Sequence, residues 1–524
     1  MSLTSDRTVE RGEPDARGWR PLVTGPGEPH LGGVPAAGGR VLGALVHMSD
    51  PHLCDAESPA RQEHLDRHGD PGAPYAPLLG TIGTYRAQEI LTAHVAAAAL
   101  AAVQRLHRAP VAGAPLDAVV VTGDLVDNAQ RNELRWYTDL LAGRPVAPRS
   151  GDPARSSWVG ATDPGRTWWP QYWHPDGPPD GVPDDVPTAR HGFPRLPGIV
   201  DAARQAVASP GAGLPWHSVH GNHDALLQGV VAPDDALRAL AVGAERVVDL
   251  APGQTPFVVL DAAATVGPAR YTHTPESPRE PVPPDAGRDL VEPGDVTGAL
   301  AAAEPDPGAL VARYGNAWVR DVGELRLIAM DTANPHGGYQ GSVDAEQLAW
   351  LDEQLTAAAD RYVVVLSHHP SWTLLNAYAP DGEPRRHRAD DVLGLLLRHR
   401  CVIAWLAGHV HAHTHRWHPG PDGRSGLFEI TTASLIDWPQ QLRVVEVVRE
   451  PGGTLAITST VVDHAGAGGW TWEPGCDDVT VLAGVSRTLA ANDWRVRARP
   501  ELLTRAAGAP ADRNAVWRMP DPHA

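Results

Sequence analysis

Val41-Leu42-Gly43-Ala44-Leu45-Val46-His47-Met48, followed at once by Ser49-Asp50-Pro51-His52, decides the reading of this chain. A mostly apolar run breaks off into a turn that offers a carboxylate and an imidazole two positions apart. Short apolar runs bounded by Gly or Pro read as buried strands. The same habit recurs downstream: Ala118–Thr122 before Gly123-Asp124, Trp216–Val219 before Gly221-Asn222-His223-Asp224, Tyr362–Leu366 before Ser367-His368-His369-Pro370, and Cys401–Leu406 before Gly408-His409-Val410-His411. In layered α/β proteins, ligands bind outside the carboxyl ends of strands. Five such strands would deliver their polar ends to one crevice.

Helical patterns separate the strands. Gln88–His107 has the composition and length of an amphipathic helix, and Ala345–Ala358 carries Leu348, Leu351 and Leu355 at helical spacing, with Asp344 or Ser342 as its cap. The alternation predicts an α/β layered fold. It is followed by a strand pair, Arg443–Val448 with Thr454–Val461. Two Pro/Gly-rich stretches leave this rhythm, at about 142–198 and about 262–312. The first contains Trp158, Trp168, Trp169, Tyr172 and Trp173, and reads as an ordered insert with a small core of its own or as a lid. The expected organisation is a polar segment over 1–40, a main domain over 41–465 holding both inserts, and a C-terminal extension over 466–524.

The chain has 524 residues, 42% of them hydrophobic and 20% charged, as in a soluble globular protein. A net charge of −19 argues against nucleic acid as the partner. It does not argue against a small phosphorylated substrate, because bound cations dominate their local field. There is no lysine, which excludes Schiff-base and P-loop lysine chemistry. Three cysteines make no disulfide framework, and Cys54 reads as a small packing residue. The first forty residues lack the apolar core of a signal peptide, and no apolar run is long enough to span a bilayer. A cytoplasmic protein without a membrane partner is expected.

Asp, His and Asn donors suit Mn, Fe or Zn. Two such ions 3.5–4 Å apart form the clamp used for phosphoester displacement. Each motif is weak alone: a Gly-Asp after a strand is usually a turn, and alternate histidines bind metal adventitiously. In the order Asp50-x-His52, Gly123-Asp124-x-x-Asp127-Asn128, Gly221-Asn222-His223-Asp224, His368 and Gly408-His409-x-His411, the chain resembles the calcineurin-like metallophosphoesterase superfamily over roughly residues 41–465. Met330-Asp331-Thr332 and Gln347-Leu348-Ala349-Trp350-Leu351 look like its class III phosphodiesterase branch.

The resemblance implies a four-layer α/β/β/α sandwich and two divalent ions, Mn, Fe or Zn. Asp50, His52 and His411 would hold one ion, Asn222, His368 and His409 the other, and Asp124 would bridge them. A water or hydroxide between the ions would attack phosphorus. His223 would be the general acid. Asp127 would orient its imidazole, with a helix N-cap as the plainer role for Asp127. Asp224 is the alternative orienter, and His369 stands behind the ligands. The implied reaction is hydrolysis of a phosphodiester, with a phosphomonoester as the alternative. A non-catalytic metal-binding scaffold is the remaining reading, opposed by the complete ligand set and by His223. Arg131, Arg135, Arg155, Arg166 and Arg190 are weaker candidates for a phosphate clamp. His413 and His415 read as exposed.

Overall fold

Along Ala118–Thr122, Val119 and Val121 point one way and Ala118 and Val120 the other, and all four are fully buried. A strand buried on both faces needs a layer on each side. The computed structural model, which describes residues 3–79, 85–162, 166–255, 275–304, 310–466 and 468–524, supplies both layers. Val119 and Val121 pack with Ala96, Leu134 and Ala483, all on helices. Ala118 and Val120 pack with Leu325, Leu327, Val364 and Leu366 of a second sheet. On the far side of that sheet, Ile328, Val363 and Val365 meet Leu351, Leu355, Val392 and Leu396 of another helical layer. The order is helix, sheet, sheet, helix, as the resemblance implies.

The first sheet contains β1 (Arg40–Met48), β2 (Ala118–Thr122) and β3 (Trp216–Val219). The second contains β4 (Leu310–Tyr314), β5 (Ala317–Val322), β6 (Leu325–Ala329), β7 (Tyr362–Leu366), β8 (Val402–Ala407), β9 (Thr414–Pro419) and β10 (Gly426–Thr431). The chain then returns to the first sheet with β11 (Gln441–Glu450), β12 (Thr454–Asp463) and β13 (Ala515–Pro520). The strand orders are β13-β12-β11-β1-β2-β3 and β9-β10-β8-β7-β6-β5-β4. β1, β2 and β3 run parallel, as do β6, β7, β8 and β10. The strands that end in the polar motifs therefore all point their carboxyl ends to one edge of the sandwich.

Helices α1 (Thr92–Arg105), α2 (Arg131–Leu141) and α5 (Val479–Ala491) cover the first sheet, and α3 (Ala345–Ala357) and α4 (Ala389–Arg398) the second. Asp344 caps α3 through Gln347 N. The alanines of α1 let it lie close against α5 and the sheet. Residues 466–524 contribute α5 and the edge strand β13, whose Trp517 enters the core between the sheets. At the other end, Thr4 donates from N to Val461 O at 3.0 Å, and Thr4 also bonds Asn514.

In the stretch 142–198, Trp158 and Trp173 are wholly buried with Tyr172, Phe193, Tyr85 and residues of α5, so the aromatics make a core. In the second stretch, residues 262–274 and 305–309 lie outside the described residues. The remainder includes a helix, Pro293–Ala303, and the start of β4. Among the described residues, no helix is long and apolar enough to cross a membrane.

Candidate metal centre

The turn after β1 is drawn against the turn after β2. Asp50 N donates to Gly123 O at 3.2 Å and His52 N to Asp124 O at 3.0 Å. To aim their side chains into one space, Asp50, His52, Asp124, His409 and His411 adopt positive φ values of 50°, 43°, 49°, 67° and 50°. L-residues rarely do so, at about 1–3 kcal/mol each, and such strain gathers at functional sites. Gly408 is required for close approach: a Cβ there would lie 2.0 Å from Ser49 Oγ and 2.6 Å from Asp50 Oδ2.

Six of the seven candidate ligands cluster at the strand ends, and the seventh, Asn222, lies in the turn after β3. Asp50, His52 and His411 form one cluster of donor atoms, Asp50, Asp124 and His368 a second, His368, His369 and His409 a third, and His52, Asp124 and His223 a fourth. Asp124 stands at the centre, its Oδ2 lying 3.1 Å from His368 Nε2 and 3.6 Å from His52 Nε2. His52 Nε2 and His411 Nε2 are 3.3 Å apart, and His411 Nε2 is 3.4 Å from Asp50 Oδ1. Asn222 donates from Nδ2 to Gly229 O at 3.0 Å, leaving its buried Oδ1 without a partner. His368 Nδ1 is engaged by Thr122 O at 2.8 Å, and its Nε2 makes no hydrogen bond.

Donors turned inward with their outer atoms occupied fit divalent ions. Charge points the same way. Burial acts to lower the His368 and His411 imidazoles, but Asp124 and Asp50 outweigh it and raise them to about 9 and about 10. Burial alone would raise Asp50 and Asp124; the neighbouring histidines hold both below the usual carboxylate range. The buried carboxylates thus call for positive charge in the space they share. Desolvation, with the neighbouring His368, lowers the partly buried His409 to about 3.

His223 shares a cluster with His52 and Asp124, and its other ring nitrogen is held by the chain at Asp127. Its backbone N donates to Asp124 Oδ1 at 2.8 Å, and its ring Nδ1 to Asp127 O at 2.8 Å. Burial lowers its imidazole to about 4 against the pull of Asp124. Asp127 does hold His223, but through its backbone carbonyl. Its carboxylate Oδ1 lies 3.6 Å from His223 Nδ1 and accepts from His52 Nδ1 at 3.0 Å. Asp224 braces the loop, accepting from Leu125 N and Val126 N with Oδ1 and from Gly221 N with Oδ2. His369 has both nitrogens engaged, with Thr332 Oγ1 at 2.8 Å and Tyr339 O at 3.1 Å.

Sequence reading missed Asp437, Arg61 and Arg86. Asp437 Oδ2 accepts from His411 Nδ1 at 2.8 Å and pairs with Arg86. Burial pushes Asp437 up, yet Arg86 and His411 hold it far below the carboxylate range. No spacing announces it, because it lies in the loop between β10 and β11. His413 is corrected: it is fully buried, bonded to Gln441 and Arg443, where exposure was expected. The side chain of His415 is a quarter exposed and paired with Asp512. Arg131 and Arg166 pair with Asp289, Asp295 and Glu280.

Residues 195–413 match the calcineurin-like phosphoesterase family. Over 120 residues the chain is 34% identical to a cAMP/cGMP dual specificity phosphodiesterase of Mycobacterium tuberculosis, covering 23% of this chain and 34% of that one. Over 65 residues it is 42% identical to tartrate-resistant acid phosphatase type 5 of Sus scrofa, covering 12% and 17%. The similarity thus spans about a third or less of these relatives' lengths. A dimetal phosphatase from Danio rerio aligns over 81% of this chain and 100% of its own, with a TM-score of 0.35 and 12% identity. Over residues 195–413 the chain is thus similar to the calcineurin-like phosphoesterase family.

Proposed function

We propose that the chain hydrolyses a small phosphorylated substrate, a phosphodiester by preference, at two divalent ions (Mn, Fe or Zn). Asp50, His52 and His411 would hold one ion, Asn222, His368 and His409 the other, and Asp124 would serve both. The observation that carries this reading is the convergence of Asp50, His52, Asp124, His368, His409 and His411 at the strand ends, beside a buried Asn222 Oδ1 without a hydrogen-bond partner.

When bound, such ions offset the charge of phosphoryl oxygens and lower the pKa of the attacking water. The protein's own residues do the rest. The Asp127 carbonyl fixes His223 through Nδ1, which leaves Nε2 to give a proton to the leaving oxygen. An anionic phosphoryl group beside the ring favours its protonated form, opposing the effect of burial. Tyr339, half exposed and stacked on His409 with ring centroids 6.4 Å apart, adds an aromatic face suited to a nucleobase or aryl group. The phosphodiester reading is supported by the likeness to the mycobacterial phosphodiesterase, and the phosphomonoester alternative by the likeness to the acid phosphatase.

The test compares p-nitrophenyl phosphate with bis-p-nitrophenyl phosphate on Mn-loaded protein, with bound metal counted by mass spectrometry. The diester should turn over faster. His223→Ala should keep two ions and lose roughly 10²–10⁴-fold in rate, whereas Asn222→Ala should lose one ion. A monoester preference would make the protein a phosphatase. Absence of His223-dependent turnover on both esters would overturn the hydrolase reading.

A further inference from the structure

The segment between β1 and α1 sends two arginines to the back of the metal centre. Arg61 is fully buried, and its Nη1 lies 2.6 Å from Asp127 Oδ2. Its Nε is 3.0 Å from Glu63 Oε1 and its Nη2 2.7 Å from Glu89 Oε2. The other oxygen of Asp127 accepts from His52 Nδ1 at 3.0 Å. Arg86 repeats the arrangement: its Nε donates to Asp437 Oδ1 at 3.0 Å and its Nη2 to Oδ2 at 3.4 Å, while Oδ2 accepts from His411 Nδ1 at 2.8 Å. Gln88 Nε2 adds a 3.3 Å contact to Asp437 Oδ1.

Guanidinium, carboxylate and imidazole therefore stand in line twice, and both imidazoles belong to the Asp50–His52–His411 group. A carboxylate on Nδ1–H fixes the tautomer that presents Nε2 and strengthens it as a donor, and such outer partners are worth about 10–100-fold in metal affinity. An arginine fork pins that carboxylate in one orientation. The opposite group is backed by neutral carbonyls, Thr122 O behind His368 and Gly229 O behind Asn222.

We propose that Arg61 and Arg86 are positioning residues that make the Asp50–His52–His411 position bind its ion more tightly than the Asn222–His368–His409 position. This rests on the two-ion reading given above. The experiment is calorimetric titration of the metal-free full chain with Mn²⁺, a readout independent of turnover. The wild-type chain should show two unequal steps. Arg86→Gln and Asp437→Asn should weaken the tighter step about 10–100-fold and leave the weaker one unchanged. Arg86 is the cleaner arginine to change, with 21% of its side chain exposed. Arg61→Lys, which keeps a buried cation against Glu63 and Glu89, serves as a second probe and should weaken the same step.

Two equal steps in the wild-type chain would overturn the proposal. So would a tighter step unmoved in both Arg86→Gln and Asp437→Asn, or a loss confined to the weaker step. Binding of no Mn²⁺ by the wild-type chain would overturn the two-ion reading itself. Normal binding with insensitive variants would overturn only the role of the arginines.

Discussion

At the scale of the residue, the centre depends on atoms that hold ligands as much as on the ligands. Gly229 shows it: a Cβ there would lie 2.3 Å from Asn222 Nδ2 and 2.4 Å from His223 Nε2, and its φ of +70° strains any L side chain. Gly229→Ala should therefore disturb Asn222, the proposed ligand, and His223, the proposed proton donor, together. The rate should fall at least tenfold, with weaker binding of one ion, for a strain cost of roughly 1 kcal/mol. The check is turnover and metal content on one preparation; wild-type values for both would mean that the loop yields without moving either side chain. The candidate ligands stand out in the sequence because each sits just past an apolar run. Asp437, Arg61 and Arg86 were not, because a side chain acting from behind through a long-range contact has no local spacing. The role of Asp127 was half readable: the residue was found, but nothing in the sequence could tell its carbonyl from its carboxylate.

At the scale of the element, β2, β3 and β7 begin and end where their apolar runs do, since a strand buried on both faces has little freedom in its limits. β13 was not foreseen: Ala515–Pro520 is a short edge strand whose alternation ends in Arg and Pro, and only its pairing with β12 reveals it. The Trp-rich stretch was legible as ordered, while its partners in α5 were too distant in sequence to see. Trp158 anchors it, fully buried, with its indole N–H on Glu89 Oε1 at 2.8 Å. Because Glu89 also holds Arg61, the anchor reaches the metal centre through one shared guanidinium. Trp158→Ala should cost about 3–5 kcal/mol, as large aromatic deletions in cores do. Trp158→Phe should cost less, about 1–3 kcal/mol for the acceptor left unpaired. Chemical denaturation of the three proteins orders them; an unshifted midpoint in Trp158→Ala would show that the stretch is not packed as described.

At the scale of the molecule, acid stability depends on histidines kept neutral by burial. His94 in α1 is lowered to about 4 by desolvation alone, with Nδ1 unpartnered. Burial lowers His174 to about 4 as well, and His47 to about 3. Each binds a proton more readily unfolded, at about pH 6.5, than folded. The stability contributed by keeping each ring neutral is therefore complete above about pH 6.5 and is lost as the pH falls toward 4, at roughly 1.4 kcal/mol per pH unit for each ring. Asp437, held low by Arg86, adds a loss of the same sign below the unfolded carboxylate range, whereas Glu89 and Glu133, raised by burial to about 8, oppose the histidines until the pH falls below the unfolded carboxylate value of 4.5. No charged neighbour contributes to the His94 shift, which makes it the clean probe. His94→Leu should flatten the fall in melting temperature between pH 7 and 5 while leaving metal content unchanged. An equally steep fall in the variant would show that His94 is protonated, or hydrated, inside the folded protein, and that the acid response arises elsewhere.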